Sequence, residues 1–128
     1  MKRSRSLRVL IVDEDPDLRE SLSMLLEFGG YQVDTAENGR AAVENVRSSR
    51  YDAVILDVHM PVMDGIAAAR LIREQPPSHP LLLIAYSCFA LVERERAEAA
   101  GCFDLILDKG SSHSITVLEN KLAELSRA

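Results

Sequence analysis

Residues 7–13 read Leu-Arg-Val-Leu-Ile-Val-Asp, and residues 54–57 read Val-Ile-Leu-Asp. In each stretch an apolar run, rich in β-branched side chains, ends abruptly at an aspartate. A run that is apolar on successive residues predicts a strand covered on both faces, as in a parallel sheet. Residues 81–85 and 105–107 have the same form, and residues 31–35 are a weaker candidate. The sequence therefore predicts five strands in a buried parallel sheet.

Amphipathic stretches with recognisable ends lie between these runs. Asp15 followed by Pro16 predicts an N-cap and a first helical residue, and the pair Gly29 and Gly30 predicts a left-handed helix end. Four further helices are predicted, one beginning after Asn38 and the others at residues 65–74, 89–100 and 112–125. The order is (βα)5, which indicates one α/β domain over residues 1–128 with its core at about 7–125.

Composition narrows the class of protein. A length of 128 residues suits one domain of ordinary size. A formal net charge of -5 argues against nucleic-acid binding through bulk charge, and no apolar run approaches the roughly 20 residues that span a bilayer. The first residues lack the apolar stretch of a secretory signal. We therefore expect a cytoplasmic protein in which Cys88 and Cys102 are reduced thiols.

Ionisable residues follow three of the predicted strands. Asp13 and Glu14 follow the first, Asp57 follows the third, and Lys109 lies just beyond the fifth. Ligands of such sheets bind beyond the carboxyl ends of the strands, where adjacent carboxylates need a cation or a proton. Mg²⁺ suits one or two carboxylates with waters and a phosphoryl oxygen, and a lysine can meet an anion. The set suits carboxylate attack on a phosphoryl group, but an acid after a strand is often only a turn or cap residue, and spacing alone leaves both interpretations open.

Three segments form a specific combination. Residues 9–16 read Val-Leu-Ile-Val-Asp-Glu-Asp-Pro, residues 51–65 read Tyr-Asp-Ala-Val-Ile-Leu-Asp-Val-His-Met-Pro-Val-Met-Asp-Gly, and Lys109 follows later. With these segments the chain resembles the receiver domains of two-component response regulators over essentially its whole length. The resemblance implies a single-domain flavodoxin-like fold, a five-stranded parallel sheet of order 2-1-3-4-5 with helices on both faces. It also implies that Asp57 accepts phosphate from the phosphohistidine of a histidine kinase.

The same resemblance implies roles for the other site residues. Asp13 and Glu14 would form an acidic pair for Mg²⁺, with Glu14 in direct contact and Asp13 acting through water. Asp57 and the backbone carbonyl of His59 would complete the protein ligands, and Lys109 would hold a phosphoryl oxygen. The side chain of His59 would affect the entry of hydrolytic water.

The resemblance implies protein partners. These are a sensor histidine kinase or phosphotransfer protein, and a downstream effector protein or output domain. The domain itself would contact neither nucleic acid nor membrane. It would not be an enzyme but a phosphoacceptor that assists its own phosphorylation and dephosphorylation.

The switch positions depart from the family pattern. Receivers normally end strand four with Ser or Thr, but residues 81–87 read Leu-Leu-Leu-Ile-Ala-Tyr-Ser, which places Ala85 or Ile84 at that position. Ser87 is the nearest hydroxyl, and Ile106 stands where the fifth strand usually carries an aromatic residue. We therefore expect Asp57 to remain a phosphoacceptor while the relay toward helix four and strand five is altered.

Other functions stay open at this point. A pseudo-receiver that binds partners without phosphorylation is favoured by the missing hydroxyl and opposed by the acidic pair, Asp57 and Lys109. A phosphatase of the haloacid dehalogenase type would need an aspartate where His59 stands. A flavin-binding flavodoxin would need a phosphate cradle where Asp13 and Glu14 stand, so charge repulsion argues against it.

Overall fold

Strands and helices alternate along residues 6–127, which are the residues described by the computed structural model. The strands are β1 Arg8–Val12, β2 Gln32–Ala36, β3 Ala53–Leu56, β4 Leu82–Ser87 and β5 Leu105–Asp108. The helices are α1 Pro16–Phe28, α2 Gly39–Ser48, α3 Gly65–Glu74, α4 Leu91–Ala100 and α5 Ser114–Arg127. The predicted (βα)5 order is confirmed.

Local hydrogen bonds explain where the first three helices begin. Asp15, Asn38 and Asp64 each accept a hydrogen bond from a backbone N–H two or three residues further on. Such caps satisfy N–H groups that have no partner inside the helix. At the other end of α1, Gly30 takes a φ of 94°, a left-handed conformation that glycine adopts without steric cost.

The five strands form one parallel sheet of order β2-β1-β3-β4-β5, as the resemblance implied. In the register of this sheet Leu56 lies between Val12 on β1 and Ala85 on β4. The residues that follow β1 and β3 therefore leave the sheet side by side. On the far side, Ser87 pairs with Asp108, so the ends of β4 and β5 also reach this edge.

The core consists of apolar layers on the two faces of the sheet. On one face, Leu22 and Leu26 of α1 pack with Leu118 and Leu122 of α5 against the strands. The other face is covered by α2 and α3, and a smaller cluster joins α3 to α4 through Ala97. Full burial of one such aliphatic side chain contributes roughly 1.5–3 kcal/mol, so this sandwich fixes the relative positions of the strand ends.

Strand β4 extends further than the sequence predicted. Residues 81–85 were expected as the strand, but it continues through Tyr86 to Ser87, which are 7% and 1% exposed. Both residues pair with β5, where Leu107 and Asp108 extend the ladder. The predicted limit of the fourth strand is therefore wrong, because the ladder with β5 carries the strand two residues further, to a serine. Ala85 pairs with Ile106 across that ladder, and the atypical switch at these two positions stays a prediction.

The helices and the two cysteines bear on two further expectations from the sequence. Within residues 6–127 no helix is both long and apolar enough to cross a membrane. Cys88 is exposed and Cys102 is buried, and neither forms a disulfide.

Candidate functional site

Lys109 connects two carboxylates at the carboxyl edge of the sheet. Its Nζ lies 2.6 Å from Asp13 Oδ2 and 3.3 Å from Asp57 Oδ2. The backbone holds the lysine there, because Lys109 N–H donates to the carbonyl of Ser87 at 2.9 Å. Asp13, Asp57 and Lys109, which the sequence predicted to converge, therefore do lie together.

Asp13 is held by bonds on several sides. It is 2% exposed, and its Oδ1 accepts a hydrogen bond from the backbone N–H of Asp15 at 2.9 Å. Its carbonyl oxygen accepts from Arg19 Nη1 at 2.7 Å. No sequence pattern marks Arg19, because its contact reaches back from α1 across the loop after β1.

Asp57 presents its two oxygens to different donors. Oδ2 faces Lys109, whereas Oδ1 accepts from Ser87 Oγ at 2.5 Å and from the backbone N–H of His59 at 3.3 Å. The residue is 8% exposed, so the carboxylate lies in a partly dehydrated pocket. Donors on both oxygens thus fix the orientation of the carboxylate.

The charges at this edge do not balance. Asp13 and Asp57 share the ammonium group of Lys109, and Glu14 stands exposed beside Asp13. Burial alone would lower the pKa of Lys109, but the hydrogen bond with Asp13 and the charges of Asp57 and Asp13 outweigh it and raise that pKa above its usual value. Lys109 is therefore fully charged, and the edge keeps an excess of negative charge.

The oxygen donors at this edge suit a hard cation. Within residues 6–127 no group of three or more His, Cys, Asp or Glu side chains is arranged to hold a metal ion. Two buried carboxylates with excess negative charge are nevertheless what Mg²⁺ requires, because it binds one or two carboxylates and completes its shell with water and phosphate oxygens. The residues Asp13, Asp57 and Glu14 therefore fit this ion in chemistry, although Glu14 lies on the exposed side.

The three residues considered for the switch occupy different places. Ser87 is the hydroxyl at the site, because its Oγ contacts Asp57 directly. Ala85 is fully buried with Val58 in the cluster beneath α4, and Ile106 packs against the same cluster from β5. Ser87 stands two residues beyond Ala85, and the extension of β4 to Ser87 brings its hydroxyl against Asp57. The apolar run that continues without a break to Tyr86 is the sequence signal for the longer strand β4.

His59 contributes more than its backbone to this region. Its imidazole Nε2 forms an ion-pair contact with Glu93 of α4, a partner that the sequence did not predict. Nothing distinguishes Glu93 from the other acids of α4 in the sequence, because only the packing of α4 brings it to the loop after β3.

Gly65 sets the approach of α3 to the site. A Cβ at this position would lie 2.2 Å from the backbone oxygen of Asp57, so only glycine allows the helix to begin here. Its N–H donates to the carbonyl of Val58 at 2.9 Å, which fixes the loop that carries His59.

The family model for the response regulator receiver domain matches residues 9–116 of the chain. This chain is a response regulator receiver domain. The match includes the ends of β1, β3 and β4 as well as Lys109, so it covers every residue of the site described above.

Curated relatives of this receiver domain include response regulators of mycobacteria. Response regulator MprA of Mycolicibacterium vanbaalenii is 44% identical over 78 residues, which are 61% of this chain and 34% of that protein. MprA of Mycobacterium tuberculosis strain H37Ra is 42% identical over 79 residues, 62% of this chain and 34% of that protein. The match thus spans about a third of the length of these relatives.

Solved structures show the same fold. Response regulator TrrA of Thermotoga maritima, in complex with Mg²⁺ and BeF, is 32% identical with a TM-score of 0.78, covering 93% of this chain and 98% of that one. The receiver domain of a sensor histidine kinase of Pseudomonas aeruginosa, with a magnesium ion coordinated in its active-site cleft, is 29% identical with a TM-score of 0.83, covering 97% of this chain and 100% of that one. The flavodoxin-like receiver fold is thereby shown for this chain.

Proposed function

We propose that this receiver domain accepts a phosphoryl group on Asp57 from the phosphohistidine of a sensor histidine kinase or phosphotransfer protein. The transfer depends on Mg²⁺, and the phosphorylated domain signals by contact with a downstream effector or output domain. The observation that carries the proposal is the position of Lys109 Nζ, 2.6 Å from Asp13 and 3.3 Å from Asp57, although the three residues follow different strands.

The reaction follows from the donors around Asp57. A lone pair of its carboxylate attacks phosphorus, and the bond between phosphorus and the donor's imidazole nitrogen breaks, with its electrons left on that nitrogen. Lys109, still anchored on Asp13, turns from the Asp57 carboxylate to an oxygen of the phosphoryl group. Ser87 Oγ, which donates to Asp57 before the reaction, donates to another phosphoryl oxygen afterwards. Positioned donors of this kind supply most of the stabilisation in phosphoryl transfer. The domain thereby assists its own phosphorylation. The same donors assist dephosphorylation, in which water attacks phosphorus and the Asp57 carboxylate leaves.

The carboxylates of Asp13, Glu14 and Asp57 and the backbone carbonyl of His59 are the ligands that we propose for Mg²⁺. When bound, the ion would offset the negative charge on the phosphoryl oxygens and help to orient the phosphoryl group for attack by Asp57. The support from this chain is the pair of buried carboxylates that share a single lysine. The Thermotoga and Pseudomonas receivers, both solved with magnesium, supply support from related chains.

The phosphorylation-independent alternative rests on the absence of a hydroxyl at Ala85 or Ile84. The position of Ser87 Oγ, 2.5 Å from Asp57 Oδ1, supports the phosphoacceptor instead. Ile106 remains an unusual residue for strand five. We therefore propose that the signal passes from the site to the surfaces of α4 and β5 by an altered relay.

Incubation with acetyl phosphate and Mg²⁺, followed by intact-mass measurement, tests the proposal. We expect the wild type to gain the mass of one phosphate and Asp57→Asn to gain none. Removal of Mg²⁺ with a chelator should abolish the gain in the wild type.

Asp15→Asn is the matched control. Asp15 is also an acid at a strand end, but its side chain caps α1, a role that asparagine fills equally well. This variant should gain phosphate as the wild type does. A wild type that gains no phosphate, or an Asp57→Asn variant that does, would contradict the proposal.

A further inference from the structure

We propose that Asp108 is a positioning residue, whose side chain fixes the turn that carries Lys109 and so keeps the ammonium group of Lys109 directed at Asp57. The inference rests on the proposed function, because the position of Lys109 matters for the reaction only if Asp57 accepts a phosphoryl group. It concerns the main chain at the end of β5, where the lysine leaves the sheet.

Two peptide groups flank Lys109, and the first is held by tertiary contacts. The carbonyl of Asp108 and the N–H of Lys109 belong to this peptide group. The carbonyl accepts from Ser114 Oγ at 2.6 Å, and the N–H donates to the carbonyl of Ser87 at 2.9 Å. Ser114 is the first residue of α5 and is only 4% exposed, so the first peptide group is tied to both the sheet and a packed helix.

The second peptide group, which joins Lys109 to Gly110, is held by the side chain of Asp108. Its Oδ1 accepts from the backbone N–H of Gly110 at 2.7 Å. A bond from an aspartate to the N–H two residues further on mimics a backbone turn, and the residue that this turn encloses is Lys109. Because peptide groups are planar, both dihedral angles of Lys109 are set once its two flanking peptide groups are fixed. The Asp108 carboxylate therefore determines the direction of the lysine side chain.

The role of Asp108 depends on geometry more than on charge. Within residues 6–127, the carboxylates that contact the Lys109 ammonium are those of Asp13 and Asp57. A Cβ added at Gly110 would lie 3.1 Å from Asp108 Oδ1, so the carboxylate fills the space that a side chain would need. What the turn requires is an oxygen acceptor on a short side chain, and asparagine supplies one without a charge.

The rate of phosphorylation is the first test. Wild type and variants are incubated with acetyl phosphate and Mg²⁺, and the uptake of phosphate is followed by intact mass. We expect Asp108→Ala to take up phosphate about tenfold more slowly, equivalent to roughly 1.4 kcal/mol of barrier, because the ammonium group is no longer held at Asp57. Asp108→Asn keeps the acceptor and should stay within about twofold of the wild type.

Asp108→Glu separates geometry from charge. This variant keeps the negative charge but carries its oxygens one methylene further from the backbone, which spoils the turn to Gly110. It should be as slow as Asp108→Ala. A wild-type rate in Asp108→Glu together with a slow Asp108→Asn would show that the charge acts and the hydrogen bond does not, and would overturn the inference.

Asp15→Ala is the matched control. Asp15 Oδ1 also accepts from the backbone N–H two residues further on, that of Asp17, at 3.0 Å. That turn lies at the same edge of the sheet but encloses Pro16, which has no part in the reaction. The rate should stay within about twofold of the wild type. A loss as large as that of Asp108→Ala would mean that opening any turn at this edge is sufficient, and the inference would be wrong.

Binding measurements distinguish positioning from a general disturbance of the site. In calorimetric titrations Asp108→Ala should bind Mg²⁺ at least as tightly as the wild type, because the carboxylates proposed for the metal follow β1 and β3. At saturating Mg²⁺ it should bind beryllofluoride about tenfold more weakly, because that ligand depends on the Lys109 ammonium. Equal losses of both affinities, or no loss of either, would overturn the inference.

The unphosphorylated protein gives a direct view of the lysine. In NMR spectra, Asp108→Ala and Asp108→Glu should move the ammonium nitrogen resonance of Lys109 toward that of a solvated lysine, whereas Asp108→Asn should leave it in place. An unmoved resonance in Asp108→Ala would contradict the positioning role.

The remaining outcomes separate this inference from the proposed function. A wild type that takes up no phosphate overturns both. A wild type that is phosphorylated at the same rate as Asp108→Ala overturns the inference alone.

Discussion

Two clusters of this domain contain the same kinds of group and serve different purposes. Near the start of β1, Asp34 Oδ2 accepts from Arg8 Nη2 at 2.8 Å and from the hydroxyl of Tyr51 at 2.7 Å. At the opposite edge of the sheet, Asp57 faces Lys109 and accepts from the hydroxyl of Ser87. Each cluster thus joins a cation, a carboxylate and a hydroxyl.

The clusters differ in charge balance and in exposure. Arg8 and Asp34 form a one-to-one pair whose side chains are 40% and 44% exposed, and the guanidinium also lies 5.1 Å from the centre of the Tyr51 ring. Lys109 serves two carboxylates that are almost fully buried. In the first cluster the charges balance. The second keeps an excess of negative charge, which a cation can neutralise, alone or together with a phosphoryl group. Unbalanced buried charge, more than residue type, distinguishes the site from a structural tie.

Removal of the cation from each cluster should give the largest contrast. Lys109→Met leaves two buried carboxylates without their partner, and we expect a loss of about 3 kcal/mol in the free energy of unfolding. Arg8→Met breaks an exposed pair and should cost below about 1 kcal/mol. Urea unfolding measures both, and added Mg²⁺ should restore part of the loss in Lys109→Met alone. Equal losses would remove the contrast between the clusters.

Removal of the hydroxyl from each cluster should separate them by ligand binding. Ser87→Ala deletes a donor to a charged acceptor, a bond worth about 1.5–3 kcal/mol, so beryllofluoride should bind roughly 10- to 150-fold more weakly. Tyr51→Phe should bind it as the wild type does. Calorimetric titration in the presence of Mg²⁺ provides the measurement. Unchanged affinity in Ser87→Ala would mean that Ser87 does not act as the switch hydroxyl, and would favour the atypical switch that the sequence predicts.

Neutralisation of the carboxylate should change stability with opposite signs. Asp57→Asn relieves the repulsion between two acids that share Lys109, and without Mg²⁺ we expect a gain of about 1 kcal/mol. Asp34→Asn weakens a satisfied pair and should cost about 1 kcal/mol. The midpoints of urea unfolding give both values, and two changes of the same sign would contradict the argument from charge balance.

The last contrast concerns pH at the satisfied cluster and is confined to alkaline conditions. Burial and the hydrogen bond to Asp34 raise the pKa of Tyr51 from 10.0 to about 12. An unfolded chain loses this proton near the lower value, so the folded state binds more protons between the two and stability falls as pH rises through that window. An ultraviolet titration should show a late tyrosinate that is absent from Tyr51→Phe, and an early one in its place would contradict the assignment.

Much of this arrangement could be predicted from local sequence. The apolar runs that end in Asp13 and Asp57 reveal both the strands and the edge at which they terminate, and Lys109 follows from the same logic. The strand order required the resemblance to the family, because local periodicity contains no information on which strands become neighbours.

The remaining site contacts depend on tertiary packing. The sequence marks Ser87 only as the nearest hydroxyl, because its contact with Asp57 depends on the pairing of β4 with β5, which no local pattern reveals. Arg19 and Glu93 reach the site from helices whose orientation follows from the core, so no spacing along the chain marks them. Local sequence patterns thus identify the reactive residues, whereas the contacts that orient those residues depend on tertiary packing.

The glycine at the start of α3 has a consequence for genetics. Any side chain at Gly65 would be forced into the main chain of the phosphoacceptor itself. A screen for loss of signalling should therefore recover substitutions there alongside those at Asp57, although glycine contributes no reacting atom. Such mutants would lose signalling as Asp57 mutants do, but through steric displacement and not through loss of a reacting group. A second-site suppressor that shifts the helix away from the strand end should restore the Gly65 mutants alone.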